Sequence, residues 1–212
     1  MKKNYVIQFL FVALVIFFAS CEPEYYKPEN PKYKVGDLIT VDGVEAVVYF
    51  TSFDGEHGKA IAAKVEIPLQ WSNQGILVGA NSSTDGKFNQ NKVQSRPTIS
   101  GDDWRLIFPA FYATFNTANY SPPISPETLR TVKWYIPSVE EYKFILQYFD
   151  LINDAIPSEV GYKKLRSNVK YWTSTEVDAV NAKVVIYNDG NVVVEDKMRN
   201  NNDPYIRAII DL

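Results

Sequence analysis

Two residues bound the chemistry of this 212-residue chain before any fold is considered: Cys21 is its single cysteine and His57 its single histidine. One thiol and one imidazole cannot build a zinc site of the Cys/His type within one chain. A Ser-His-Asp arrangement would have to use His57, and the chain has no nucleophile-elbow motif to go with it. His57 sits in Gly55-Glu56-His57-Gly58, which reads as a turn and not as a base held beside a nucleophile. Neither common Gly-rich phosphate loop is present. Carboxylate chemistry is what remains. Glu140 and Glu141 stand where a helix begins, a position that negative charge favours through the helix dipole. Asp150 and Asp154 lie one turn apart on the same predicted helix and read as outward-facing. A glycosidase needs two carboxylates at a set separation across a cleft, and no spacing in the sequence assembles one. The catalytic set is therefore predicted to be empty, with no metal and no cofactor.

Residues suited to binding are better represented. Asp85 to Asn91 reads DGKFNQN, rich in oxygen donors but not in the spacing of an EF-hand. Asn200-Asn201-Asn202-Asp203 lies just before the last predicted strand, and loops carried on a rigid scaffold are where binding residues concentrate. Asp85, Asn89, Asn200, Asn201, Asn202 and Asp203 are the candidate ligand-binding residues; solvated polar turns are the alternative reading of both segments. Trp71, Trp104 and Trp134 are either core or stacking platforms for sugar rings. Lys163, Lys164, Arg166 and Lys170 form a local basic cluster, read as a solvated face or as a contact for acidic groups. Tyr171 to Glu176 is read as a strand that pins the sheet, with Trp172 and alternate residues inward and the hydroxyls satisfying nearby backbone.

Cys21 has a different use. Lys2 and Lys3 precede an apolar run, Tyr5 to Ala19, interrupted only by Gln8. That run is short for a membrane span, which takes about 20 residues, and has the length of a signal-peptide core. Phe18-Ala19-Ser20 then places small residues directly before the thiol. Residues 1–20 are predicted to be a lipoprotein signal peptide, and Cys21 the lipidated N-terminus, so the protein is tethered to a membrane without crossing it. Removing 20 of 212 residues leaves 192, enough for one domain. It also removes two lysines, taking the formal charge from −3 to −5. A mildly acidic domain is a poor partner for nucleic acid. No disulfide can form within the chain, so the core must hold the fold alone, and an aromatic content of 14% makes that feasible.

The elements follow from pattern. Residues 21–32 hold three prolines and mixed charge, an extended tether; residues 33–212 form the domain. Asp42-Gly43 between apolar runs predicts a hairpin. Lys59 to Ile67 reads as a strand, and Asn73 to Ser100 as a long ordered loop with a short helix near Asn89 to Val93. Phe108 to Thr117 is a second helix. The best-marked helix starts at Ser138, where Ser138 and Glu141 make a capping box. Val139, Tyr142, Ile145, Leu146, Phe149 and Ile152 recur along its buried face, and Pro157 ends it. Strands return at Lys170–Glu176, Ala182–Tyr187, Asn191–Asp196 and Tyr205–Ile210, with a hairpin turn at residues 188–191. Strands, two helices, then strands make an α+β domain whose late strands pair with one another.

Several segments together resemble one family: Asp85-Gly86-Lys87, Phe108-Pro109-Ala110, Trp134-Tyr135-Ile136-Pro137-Ser138 with Glu140-Glu141, Tyr171 to Glu176, and Tyr205-Ile206-Arg207-Ala208. Their order and spacing are similar to those of the C-type-lectin-like domains of many Bacteroidota surface lipoproteins. These are relatives of the Fibrobacter major paralogous domain and of the C-terminal domain of a bacterial collagen-like adhesin. The resemblance runs over roughly Tyr33 to Leu212. It implies the C-type-lectin-like fold, two helices with twisted antiparallel sheets and adjacent first and last strands. It implies a binding or adhesive role in preference to a reaction. The calcium motifs and paired cysteines of sugar-binding C-type lectins are absent, so calcium-dependent sugar binding does not carry over. The active-site cysteines of the formylglycine-generating enzymes that share the fold are absent too. The expected protein is a non-catalytic, lipid-anchored module of the cell envelope that binds a glycan or a surface protein. The alternatives are an assembly component of a surface complex or fimbria and, third, an enzyme acting on polysaccharide. Cys21 is not followed by Asp, and Glu22 and Glu24 resemble the acidic export signal of Bacteroidota surface lipoproteins, so the expected location is the outer membrane, on either face.

Overall fold

The hairpin at the front of the domain forms as its turn chemistry requires. Leu38–Val41 (β1) and Val44–Thr51 (β2) pair antiparallel across Asp42 and Gly43, which have φ of 51° and 80°. Two consecutive left-handed residues match the twist of the strands they join, and Asp-Gly adopts that geometry at little cost. The structure, a computed structural model, describes residues 30–96, 104–114, 134–187, 191–199 and 204–212. The signal peptide, Cys21 and the tether up to Glu29 lie outside the described residues. So do Asn200, Asn201, Asn202 and Asp203, most of the expected 188–191 turn, and the end of the Phe108–Thr117 helix. Pro31–Leu212 forms one compact unit.

Two five-stranded sheets organise that unit. The first has the order β1-β2-β3-β10-β5 and adds Gly58–Ala62 (β3), Trp134–Tyr135 (β5) and Ile209–Asp211 (β10) to the hairpin. The second has the order β4-β9-β6-β7-β8, from Ile67–Pro68 (β4), Lys170–Glu176 (β6), Asn181–Ile186 (β7), Val192–Asp196 (β8) and Tyr205–Ile206 (β9). All pairings are antiparallel except β6 with β9, where Tyr171 sits opposite Tyr205. The mixture of sheets and helices is α+β. The late strands β6, β7 and β8 do pair in series. The last strand, however, lies beside β3 and not beside β1, which is an edge.

Three sequence expectations are corrected by how strands change sheet. Lys59–Ile67 is not one strand: β3 ends at Ala62, and Ile67 begins β4 in the other sheet. Tyr205–Ile210 likewise divides into β9 and β10. The switch has a physical cause in Arg207, whose side chain is fully buried. Its Nε donates to Ala62 O at 2.8 Å and its Nη1 to Glu66 at 3.1 Å, while Nη2 reaches Lys163 O. The guanidinium thus takes carbonyls that a continuing ladder would have used. Third, β6 does not alternate inward and outward: Tyr171 through Glu176 are all buried, because cores lie on both faces. Tyr171 packs with Tyr142 and Ile145 in one core, and Trp172 with Trp71, Phe108 and Phe111 in another.

Five short helices are described, more than the short one near Asn89 and the two expected to follow it: Gly86–Gln94 (α1), Trp104–Ile107 (α2), Pro109–Ala113 (α3), Val139–Leu146 (α4) and Phe149–Ala155 (α5). The helix near Asn89 starts earlier than expected because Asp85 caps it, accepting the Phe88 N–H at 2.8 Å. The long helix from Ser138 is divided. Its start is as predicted, with Glu141 reaching back to the Ser138 N–H at 2.9 Å. At its end Gln147 N bonds Phe144 O at 3.1 Å and Tyr148 N bonds Ile145 O at 2.9 Å, a tightened turn that closes α4 and redirects the chain into α5. The predicted face survives the break. Val139, Tyr142, Ile145, Leu146 and Ile152 are buried and Phe149 is partly so. Among the described residues no helix is long and apolar enough to cross a membrane.

Candidate functional site

A bulge in β2 builds one wall of a cavity. Val48 sits opposite Ala60 and Phe50 opposite Lys59, so Tyr49 has no partner across the strand pair. The extra residue brings neighbouring side chains to one side of the sheet, an arrangement bulges commonly serve beside sites. Tyr49 and Phe50 both approach Phe144 of α4, with ring centroids 6.4 and 6.0 Å apart. Between these rings, Lys59, Thr84, Glu140 and Glu141 complete an open cavity of about 260 Å³ whose accessible lining is apolar. The Tyr49 side chain is buried, and its hydroxyl meets no hydrogen-bond partner among the described residues.

The polar groups beside the cavity are tied to one another. Through one oxygen Glu141 accepts Lys59 Nζ at 2.8 Å, and that oxygen stands 3.2 Å from the Tyr135 hydroxyl. Through the other it accepts Gly86 N, Ser138 N and Ser138 Oγ, each at 2.9 Å. Its carboxylate therefore caps two helices at once, α4 and α1. Gly86 permits this: a Cβ there would lie 2.5 Å from Ile136 O and 2.8 Å from Glu141 itself. Asp211 completes the cluster, accepting Tyr135 Oη at 2.8 Å and pairing with Lys59 at 3.2 Å and with Lys87. Burial alone would raise the Asp211 carboxyl, but Lys87, Tyr135 and Lys59 outweigh it and hold it below its ordinary range. Burial, and then the charges of Glu141 and Asp211, keep the Tyr135 and Tyr49 phenols protonated. Two carboxylates, Glu141 and Asp211, converge here on either side of the Tyr135 hydroxyl.

A second buried cluster is structural. Glu176 and Lys197 are paired at 2.6 Å with side chains essentially inaccessible. The carboxylate also receives the N–H groups of Val78, Gly79 and Ala80. Lys197 donates to Ile76 O and Asp178 O and stands 4.5 Å over the Trp71 ring. These bonds hold the 76–80 segment against β6.

The residues singled out by sequence take varied places. Asn89 is fully buried: its Oδ1 accepts Ser82 N at 2.9 Å, and its Nδ2 donates to Ser82 O and Ser174 Oγ. Its amide is spent on the fold and does not face a ligand. Asp85 is exposed but serves as the α1 cap. Trp71 and Trp134 are core, not sugar platforms; Trp104 opens α2, and its side chain lies outside the described residues. Arg166 pairs with Glu66 and lies over Tyr205, and Lys170 pairs with Glu195, so half of the basic cluster is neutralised while Lys163 and Lys164 face solvent. Asp150, Asp154 and His57 are exposed. Among the described residues no group of three or more His, Cys, Asp or Glu is placed to hold a metal. Sequence reasoning missed Tyr49, Phe50, Lys59, Tyr135 and Asp211. The last three are brought together by pairing across β3, β10 and β5, and a bulge leaves no sequence mark of its own.

Fold and site define an α+β domain with an aromatic-walled cavity beside a closed ion-pair network. No family model matches the chain, and no curated protein matches it.

Proposed function

We propose that this protein is a non-catalytic binding module of the cell envelope, lipid-anchored through Cys21 at the outer membrane, with a C-type-lectin-like domain that takes a glycan or protein ligand. The observation that carries the reading is the cavity beside the β2 bulge. It is open, walled by aromatic rings, and its charged neighbours are engaged with one another, an arrangement suited to holding a ligand and not to moving protons. The anchor rests on the sequence around Phe18–Cys21. An assembly role is the second reading, supported by β8, which ends its sheet and exposes Val194.

The test is binding by the full chain in detergent to a glycan array, with and without calcium, and to a displayed peptide library. Specific binding to either supports the module. Binding to neither, with fixed-stoichiometry copurification of an envelope protein, favours assembly, and turnover of a polysaccharide overturns the non-catalytic reading. Intact mass of the mature chain checks the anchor: the expected N-terminus is an acylated Cys21, and any other start refutes it.

A further inference from the structure

We infer that the cavity between the β2 bulge and α4 is an anchor pocket for one aromatic or branched apolar side chain of an extended peptide from a partner protein. The inference rests on the binding-module reading and chooses between its two ligand classes. Three observations carry it. The accessible lining is apolar, made by the Phe50 and Phe144 rings, the Tyr49 ring and the stems of the polar residues around them. The volume, about 260 Å³, lies at the small end of ligand sites and has room for one large side chain.

The third observation is hydrogen-bonding capacity. A sugar ring needs several free donors and acceptors around it. Lys59 has three ammonium protons, and Glu141, Tyr135 and Asp211 stand within reach of all three. Both Glu141 oxygens are occupied by backbone and side-chain donors, and Glu140 pairs with Lys143 at 2.9 Å. Little remains with which to bind a ring of hydroxyls. An apolar side chain needs none of it, and it gains from removing ring surface from water. Phe50, 41% exposed, presents such surface at the rim. The charges at and around the cavity, Lys59, Lys87 and Lys143 against Glu140, Glu141 and Asp211, are paired and balance, which suits a neutral segment over an anionic one. An aromatic pocket whose charged neighbours are engaged with one another is the form in which interface anchors are buried.

The experiment selects a random 12-residue peptide library on the full chain in detergent, and measures the winners against the wild type, Phe50→Ala and Thr84→Trp. Thr84 is an exposed lining residue, so a tryptophan there plugs the mouth without touching the core, and thermal melting confirms that each variant is folded. The proposal expects winners sharing one Phe, Tyr, Trp, Leu or Ile at a fixed position. It also expects binding weakened about tenfold or more by Thr84→Trp and by alanine at that peptide position. Peptides that bind the plugged variant equally well overturn the pocket while leaving the binding module standing. Oligosaccharides that bind the wild type and fail on Thr84→Trp overturn the peptide assignment in favour of a glycan. No binding by peptides or glycans removes both readings.

Discussion

Tyr49 places a hydroxyl in the interior with no hydrogen-bond partner among the described residues. A buried polar group without a partner loses its hydration and gains nothing in return. Tyr49→Phe should therefore stabilise the domain by about 1 kcal/mol, raising the melting temperature by roughly 2–4 °C. Calorimetry on the two proteins checks this, and an unchanged or lower value would mean the hydroxyl is satisfied. Asp211 makes the opposite kind of contribution. Its carboxyl is held below its ordinary value of 3.8. A depressed acid stabilises the fold above its unfolded pKa, and that stability is lost as pH falls through the folded value. The wild type should therefore melt higher than Asp211→Asn at neutral pH, and the two curves should converge below about pH 4. Parallel curves down to pH 2 would remove Asp211 from the acid response. Lys197 is the most exacting residue, since Glu176 is buried with it. Lys197→Met leaves the carboxylate without its cation and should cost about 3 kcal/mol, seen as a melting point roughly 6–12 °C lower; a loss under 2 °C would show that the backbone N–H groups suffice.

At the scale of elements, α4 is the piece whose sequence and structure agree most closely. Ser138 and Glu141 start it, and the spacing of Val139, Tyr142, Ile145 and Leu146 gives a buried face on one side. Ile145 is fully buried among apolar side chains, so Ile145→Asp should abolish soluble expression, because a charge placed in an apolar core loses its hydration. Wild-type yield and melting in that variant would contradict the packing. The hairpin is equally readable, since Asp42 and Gly43 carry the turn in their own conformational preferences. The two divided strands share one cause. Periodicity predicts a strand from Lys59 to Ile67 and another from Tyr205 to Ile210, yet both divide where Arg207 enters between them. Nothing local distinguishes an arginine that will be buried between two sheets from one on a surface.

At the scale of the whole molecule, the site belongs to no single segment. Its parts come from β2, β3, the loop before α1, α4 and the C-terminal strand, brought together by a sheet in which the last strand joins the third. Glu141 shows the division of labour. Its place three residues after Ser138 is a local signal, and the capping bond follows from it. That the same carboxylate also receives Gly86 and Lys59 depends on chain brought from elsewhere. Asn89 shows the reverse: its polarity and its polar neighbourhood suggest an exposed ligand contact, but α1 turns it into the core, where Ser82 and Ser174 satisfy it. By itself the sequence determined what depends on composition and short spacing. The α+β class, the first hairpin, and the capped helix with its buried face follow from such patterns. The tertiary structure alone decided where strands change sheet, which polar side chains are consumed by the fold, and which rings are left beside open space. Those outcomes depend on partners about 80 to 145 residues away in the chain, and hydrophobic period and turn propensity carry no information over such distances.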